Sequence, residues 1–137
     1  MLLGDEAIAQ AGIDAGMSGI YAYPGTPSTE ITEYIIQSKE AKSGQIRAGW
    51  STNEKTAMES AIGMSYAGKR AMVCMKHVGL NVAADAFINS AITGANGGLI
   101  VGVRRRYANI VNSGSYLTGI PIVSHAVGRG HIGRIKF

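Results

Sequence analysis

Residues 50–57, with the sequence Trp-Ser-Thr-Asn-Glu-Lys-Thr-Ala, mark the point where a β-rich run ends and a helix begins. The preceding run, residues 46–50, favours a strand, and the segment that follows is rich in small residues at helical spacing. Glu54 falls in the first turn of this helix. Ligands of open α/β sheets bind in the crevice outside the carboxyl ends of the strands, so this junction is a candidate site.

The Glu54 side chain has two interpretations. In the first, Ser51 is the N-cap of the helix and Glu54, three residues later, completes a capping box by accepting a hydrogen bond from a backbone N–H. In the second, Glu54 is a buried acid that protonates or hydrogen-bonds a cofactor. Spacing alone favours the capping box, and both interpretations stay open at this point.

Hydrophobic spacing divides the first 103 residues into alternating helices and strands. The third strand is apolar throughout, which is typical of a strand covered on both faces. The order αβαβαβαβ with short connections predicts an α/β fold, a parallel sheet with helices on both faces. The predicted helices span residues 5–17, 27–42, 53–67 and 82–93, and the predicted strands span residues 19–23, 46–50, 70–75 and 99–103.

Three loops, residues 24–28, 51–54 and 76–81, follow strand ends and should meet at one edge of the sheet. Thr26 also fits the N-cap of the second helix, with Pro27 as the first helical residue. The sequence contains neither the dinucleotide-binding glycine fingerprint nor a Walker motif, which disfavours those two classes. The residues expected to converge at this edge are Gly25, Thr26, Ser51, Glu54, His77 and Asn81.

Composition limits the class of protein further. A chain of 137 residues suffices for one domain, and no apolar run reaches membrane-spanning length. Residues 1–6 are acidic and lack the basic start of a signal peptide, so we expect a cytoplasmic protein. The single cysteine, Cys74, lies in an apolar run, where packing is its expected role.

Charge is distributed unevenly along the chain. Residues 1–103 hold seven Lys or Arg and nine acids, whereas residues 104–137 hold six Lys or Arg and no acid. The second segment also has no hydrophobic periodicity. We therefore divide the chain into a partial domain, residues 1–103, and a basic, atypical tail, residues 104–137, which is predicted to be disordered or translated out of frame.

Four stretches of the first segment resemble one known family. They read Leu-Leu-Gly-Asp-Glu-Ala-Ile-Ala (2–9), Tyr-Pro-Gly-Thr-Pro-Ser-Thr-Glu-Ile (23–31), Trp-Ser-Thr-Asn-Glu-Lys (50–55) and Met-Lys-His-Val-Gly-Leu-Asn-Val-Ala-Ala-Asp (75–85). They are similar to the thiamine-diphosphate-dependent 2-oxoacid:ferredoxin oxidoreductases, and among these to the large (alpha) subunit of the indolepyruvate ferredoxin oxidoreductases. The resemblance covers only the front part of that family's pyrimidine-binding domain.

The resemblance implies oxidative decarboxylation of indolepyruvate or another aryl pyruvate to an acyl-CoA. It implies thiamine diphosphate with Mg²⁺ held by a domain absent here, and [4Fe–4S] clusters in the parent enzyme. One cysteine cannot hold such a cluster. The implied partners are the 2-oxoacid, coenzyme A, ferredoxin and a second (beta) subunit. We expect no turnover from this chain alone.

The resemblance also implies roles for particular residues. Glu54 matches the glutamate that hydrogen-bonds N1′ of the cofactor's aminopyrimidine, a task that needs a dry site. Thr26 matches a threonine near the substrate. Gly25, His77, Gly79 and Asn81 match loops near the cofactor, where the two glycines would allow close backbone approach or positive φ.

Two other functions remain open. One is a non-catalytic binding module whose Arg-rich tail binds RNA or another polyanion. Against it, the tail has few aromatic residues between its basic ones and matches no known nucleic-acid-binding motif. The other is a non-oxidative thiamine-diphosphate decarboxylase.

Family members continue with an Ala-Asp-Asp-Pro type stretch where this chain has Arg104-Arg105-Arg106. Arginine codons read one base later can encode Ala-Asp-Asp, hence the out-of-frame hypothesis for the tail.

Overall fold

The computed structural model describes residues 3–104 and 122–125. None of the helices in these ranges is long and apolar enough to cross a membrane. The predicted alternation of helices and strands is present. The helices are α1 Gly4–Asp14, α2 Thr29–Gln37, α3 Lys39–Lys42, α4 Glu54–Tyr66 and α5 Gly79–Thr93, and the strands are β1 Gly19–Ala22, β2 Arg47–Trp50, β3 Ala71–Lys76, β4 Leu99–Arg104 and β5 Ile122–His125.

The sheet has the strand order β2-β1-β3-β4-β5. Strands β1 to β4 pair in parallel, which confirms the predicted α/β fold. β5 lies within the predicted tail and pairs antiparallel with β4, with Leu99 opposite His125. The division at residue 103 and the out-of-frame hypothesis stay predictions, and the rest of the tail lies outside the described residues.

Two apolar cores cover the two faces of the sheet. On one face, α1 and α2 pack through Ala9, Ile31 and Ile35 against Ile20 and Met72. On the other face, α4 and α5 pack through small residues against the apolar side chains of β3 and β4. The small residues that the sequence places along α4 and α5 account for this close packing, because they let the helix backbones approach each other. The residues of the second core on these two helices are Ala57, Met58, Ala61, Ile62, Ala83 and Ala86.

The helix predicted over residues 27–42 is two helices. Ser38 has an extended backbone (φ −64°, ψ 158°), which ends α2, and its Oγ accepts a hydrogen bond from the N–H of Ala41 at 3.1 Å, which caps α3. Helix α2 begins at Thr29, with Ser28 as its N-cap. The prediction that Thr26 caps this helix and that Pro27 opens it was therefore wrong.

The strand order places a topological switch point between β1 and β3. The chain leaves β1 towards β2 on one side, and leaves β3 towards β4 on the other. The crevice outside the carboxyl ends of these two strands is therefore the expected ligand site. The backbone N–H of Ser51 bonds to the carbonyl of Ala22 at 2.8 Å, so the loop after β2 begins at the same edge.

The threonines of α2 allow a paired test of this packing. Thr32 is fully buried, and within the described residues its Oγ1 has no hydrogen-bond partner, whereas Thr29 Oγ1 accepts from the N–H of Gly25 at 3.0 Å. We expect Thr32→Val to raise the free energy of unfolding by about 1 kcal/mol, because a desolvated hydroxyl disappears. Thr29→Val should lower it by about 1 kcal/mol, because a bonded N–H loses its acceptor. Urea denaturation measures both, and equal changes of one sign would contradict this.

Candidate functional site

The cap of α4 is Asn53, not Ser51. Asn53 Oδ1 accepts a hydrogen bond from the N–H of Thr56 at 2.9 Å, and Thr56 Oγ1 accepts one from the N–H of Asn53 at 3.3 Å. The predicted Ser51–Glu54 capping box was therefore wrong by two residues. Ser51 still bonds to Ala22 of β1, so the chain leaves the sheet too late for Ser51 to cap the helix. The Glu54 carboxyl group is consequently not used for capping.

Glu54 is the first residue of α4 and is buried, with 6% of its surface exposed. No hydrogen bond or ion pair reaches its carboxyl group from any described residue. The side chain lies against Gly79, the first residue of α5, where an added Cβ would fall 2.5 Å from Glu54 Oε1. The carboxyl group thus lies between the N-termini of two packed helices, α4 and α5.

The loop after β1 is held by short-range hydrogen bonds. Gly25 donates its N–H to Thr29 Oγ1, and Ser28 donates its hydroxyl to the carbonyl of Gly25 at 3.0 Å. Thr26 is exposed, and its hydroxyl bonds to none of the described residues. The Lys76 side chain lies beside Gly25, since an added Cβ there would be 3.3 Å from Lys76 Cδ. The loop after β1 therefore lies beside the carboxyl end of β3, at the switch point.

The start of α5, after β3, contributes a close neighbour of Glu54. Gly79 is that neighbour, whereas His77 and Asn81 are exposed, and no hydrogen bond joins their side chains to Glu54 among the described residues. Neither Gly25 nor Gly79 has positive φ. Positive φ is therefore not the reason for either glycine, and close backbone approach to the cofactor stays a prediction.

Sequence reasoning missed three residues of this edge, Asn53, Thr56 and Lys76. The signal for the first two was available, because asparagine followed three residues later by threonine has the spacing of a reciprocal cap. No local sequence pattern predicts a role for Lys76, because its contact with Gly25 depends on the pairing of β1 with β3.

Cys74 contributes packing. It is fully buried among the apolar side chains of one core. Burial raises the pKa of its thiol to about 12, which keeps the unreactive protonated form at neutral pH.

The described residues fit one end of thiamine diphosphate. The Glu54 carboxyl group belongs to a buried residue, has no partner among the described residues and can hydrogen-bond a ring nitrogen, which suits an aminopyrimidine ring. No group of three or more His, Cys, Asp or Glu able to hold a metal ion occurs in residues 3–104 or 122–125. The fit concerns the pyrimidine end of the cofactor, because the Glu54 carboxyl group is the feature that carries it.

Comparison with known proteins defines the class. A sequence profile for the thiamine diphosphate-binding domain of pyruvate flavodoxin/ferredoxin oxidoreductases matches residues 10–107. The chain belongs to this family, which confirms the resemblance found in its four motifs.

The relatives are more specific. Indolepyruvate oxidoreductase subunit IorA of Pyrococcus horikoshii is 48% identical over 101 residues, which make up 74% of this chain and 15% of the relative. The subunit of the same name from Archaeoglobus fulgidus is 49% identical over 102 residues, 73% of this chain and 16% of the relative. The chain thus spans only a small part of the length of the curated relatives that it matches.

A solved structure supports the fold. It is a 2-oxoglutarate:ferredoxin oxidoreductase from Magnetococcus marinus with 2-oxoglutarate, coenzyme A and succinyl-CoA bound. The alignment has a TM-score of 0.69 and 24% identity, and it covers 79% of this chain and 18% of that chain.

Proposed function

We propose that this chain forms the aminopyrimidine-binding part of a thiamine diphosphate site in a 2-oxoacid:ferredoxin oxidoreductase that acts on indolepyruvate or another aryl pyruvate. The observation that carries the proposal is the carboxyl group of the buried residue Glu54. This group does not cap α4, because the reciprocal hydrogen bonds of Asn53 and Thr56 form the cap. Carboxylates of this kind serve as hydrogen-bonding partners when water is excluded around them.

Each residue of the site has a role in this proposal. Thiamine diphosphate supplies the carbanion that adds to the keto carbon and the ring that takes up the electrons left when CO₂ departs. Glu54, which is 6% exposed, would share a proton with N1′ of the aminopyrimidine, and its burial against Gly79 limits the access of water to it. The exposed Thr26 hydroxyl donates to a keto or carboxylate oxygen of the substrate. Gly25, Gly79, His77 and Asn81 line the approach of the cofactor.

The remaining parts of the reaction belong to the longer protein. We propose that segments beyond this chain hold Mg²⁺, the cofactor's diphosphate and the [4Fe–4S] clusters, and that a second subunit, coenzyme A and ferredoxin complete the assembly. The two relatives support this arrangement, because each is named as a subunit and is several times longer than the matched segment. A non-oxidative decarboxylase would use the same pyrimidine-side residues, and no observation favours it. The polyanion-binding alternative depends on the tail, most of which lies outside the described residues.

The experiment that tests the proposal compares this chain alone with a chimera. In the chimera, this chain's matching segment replaces the 101 matched residues of the Pyrococcus horikoshii subunit, which is then assembled with its native partners. We expect indolepyruvate-dependent reduction of ferredoxin or a dye by the chimera and none by the chain alone. Turnover by the isolated chain, or an assembled chimera that binds thiamine diphosphate and stays inactive, would contradict the proposal.

A further inference from the structure

The contact between Glu54 and Gly79 has a consequence for the geometry of the site. We infer that Gly79 is a positioning residue, whose missing side chain lets the Glu54 carboxyl group occupy the space between α4 and α5. The role in catalysis rests on the function proposed above. The steric relation between the two residues does not depend on it.

The overlap at Gly79 involves most of the Glu54 side chain. A Cβ placed on Gly79 would lie 2.5 Å from Oε1, 2.7 Å from Cγ and 2.9 Å from Cδ of Glu54. All three distances are shorter than any normal carbon contact. Rotation of the carboxylate alone moves its oxygens but leaves Cγ and Cδ in place. An alanine would therefore force Glu54 into another rotamer, and the carboxyl group would leave its position.

Backbone conformation does not explain the glycine. The glycines with positive φ in the described chain are Gly16, Gly44, Gly68 and Gly94, and Gly79 is not among them. Gly79 opens α5, and alanine is a better helix former than glycine. Local propensity alone would therefore favour alanine, so the Glu54 side chain is what opposes it.

Two other helical glycines, Gly12 and Gly63, lack this relation to a polar side chain. Gly63 on α4 has no atom within 4 Å of an added Cβ, so alanine is accommodated there. At Gly12 on α1 the nearest atom is the terminal methyl of Met17, which can move aside. Gly63 is thus the matched control, because it lies on the same helix as Glu54 and faces open space.

A double-mutant cycle in the full 137-residue chain tests the contact. Gly79→Ala is expected to raise the unfolding equilibrium constant at least about tenfold in urea, the size typical of overpacking, whereas Gly63→Ala should not raise it. The Glu54→Ala variant lacks Cγ, Cδ and both carboxyl oxygens. In this background, the loss of stability caused by Gly79→Ala should shrink by more than half. If the Gly79→Ala chain fails to fold and the double variant folds, the Glu54 side chain is again the cause of the destabilisation, and the inference is supported. An equal loss in both backgrounds would overturn the inference.

A second measurement follows the carboxyl group itself. In chains labelled with ¹³C at the glutamate carboxyl carbons, the signal that disappears in Glu54→Gln belongs to Glu54. We expect Gly79→Ala to shift this signal and Gly63→Ala to leave it unchanged, and an unmoved signal in folded Gly79→Ala would overturn the inference. The proposed function is judged separately, since an active Glu54→Gln chimera would refute that function and leave the steric coupling intact.

Discussion

Glu54→Gln in the chimeric subunit is expected to lower indolepyruvate-dependent turnover by about 10²–10⁴-fold, the usual contribution of a positioned proton-transfer group. Glutamine has nearly the same shape as glutamate, so it fits the space beside Gly79. It cannot take up and return a proton, however, and its NH₂ group can face the ring nitrogen as a donor. The loss should therefore appear in kcat, measured by dye reduction at saturating substrate and cofactor.

The control for this experiment lies on the same helix. Glu59 is exposed, and its Oε1 is 3.9 Å from Lys55 Nζ, so Glu59→Gln makes the same chemical replacement without touching the site. We expect Glu59→Gln to keep essentially full turnover, since exposed ion pairs contribute little. Similar rates for the two variants would show that Glu54 has no special role in the reaction.

The sheet was predictable because its signals are local or depend on composition. An apolar β3 and small-residue helices fit only a buried parallel sheet covered on both faces, and the short connections fix the alternation. The burial of Glu54 after β2 did not follow from this pattern, because spacing alone favoured a capping box and only the family resemblance implied a dry site. The order in which β1, β2, β3 and β4 pair does not follow from local signals, because pairing is decided by which faces the helices bury.

The errors share a physical cause. Ser38 breaks one predicted helix because its side chain offers the backbone of Ala41 an alternative acceptor, a competition that hydrophobic spacing does not register. Ser51 was given a capping role that its hydrogen bond to Ala22 of β1 prevents, and that bond exists only once the strands have paired. Likewise, the Gly79–Glu54 contact joins two helices through space. The sequence could predict that both residues lie at one edge, and could not predict that they touch.

Gly97→Ala is expected to cause the largest loss of stability, about 3 kcal/mol or more, because the added methyl group would meet fixed backbone. A Cβ at Gly97 would overlap the carbonyl oxygen of Lys69 and lie 2.8 Å from the carbonyl carbon of Gly68. The segment cannot simply move away. Gly97 donates its N–H to the carbonyl of Ser65 and accepts from the buried Ser65 hydroxyl, both at 2.7 Å.

The neighbouring glycine provides the control. At Gly98 the nearest atom to an added Cβ is Arg70 Cγ at 3.5 Å, an ordinary contact, so Gly98→Ala should change the urea midpoint little. Nearly equal midpoints for the two variants would contradict the backbone overlap. Gly97 precedes β4, whereas Glu54 lies beyond the opposite, carboxyl ends of the strands. Gly97→Ala should therefore weaken the fold without shifting the ¹³C carboxyl signal of Glu54, which distinguishes a residue that supports the domain from one that positions the site.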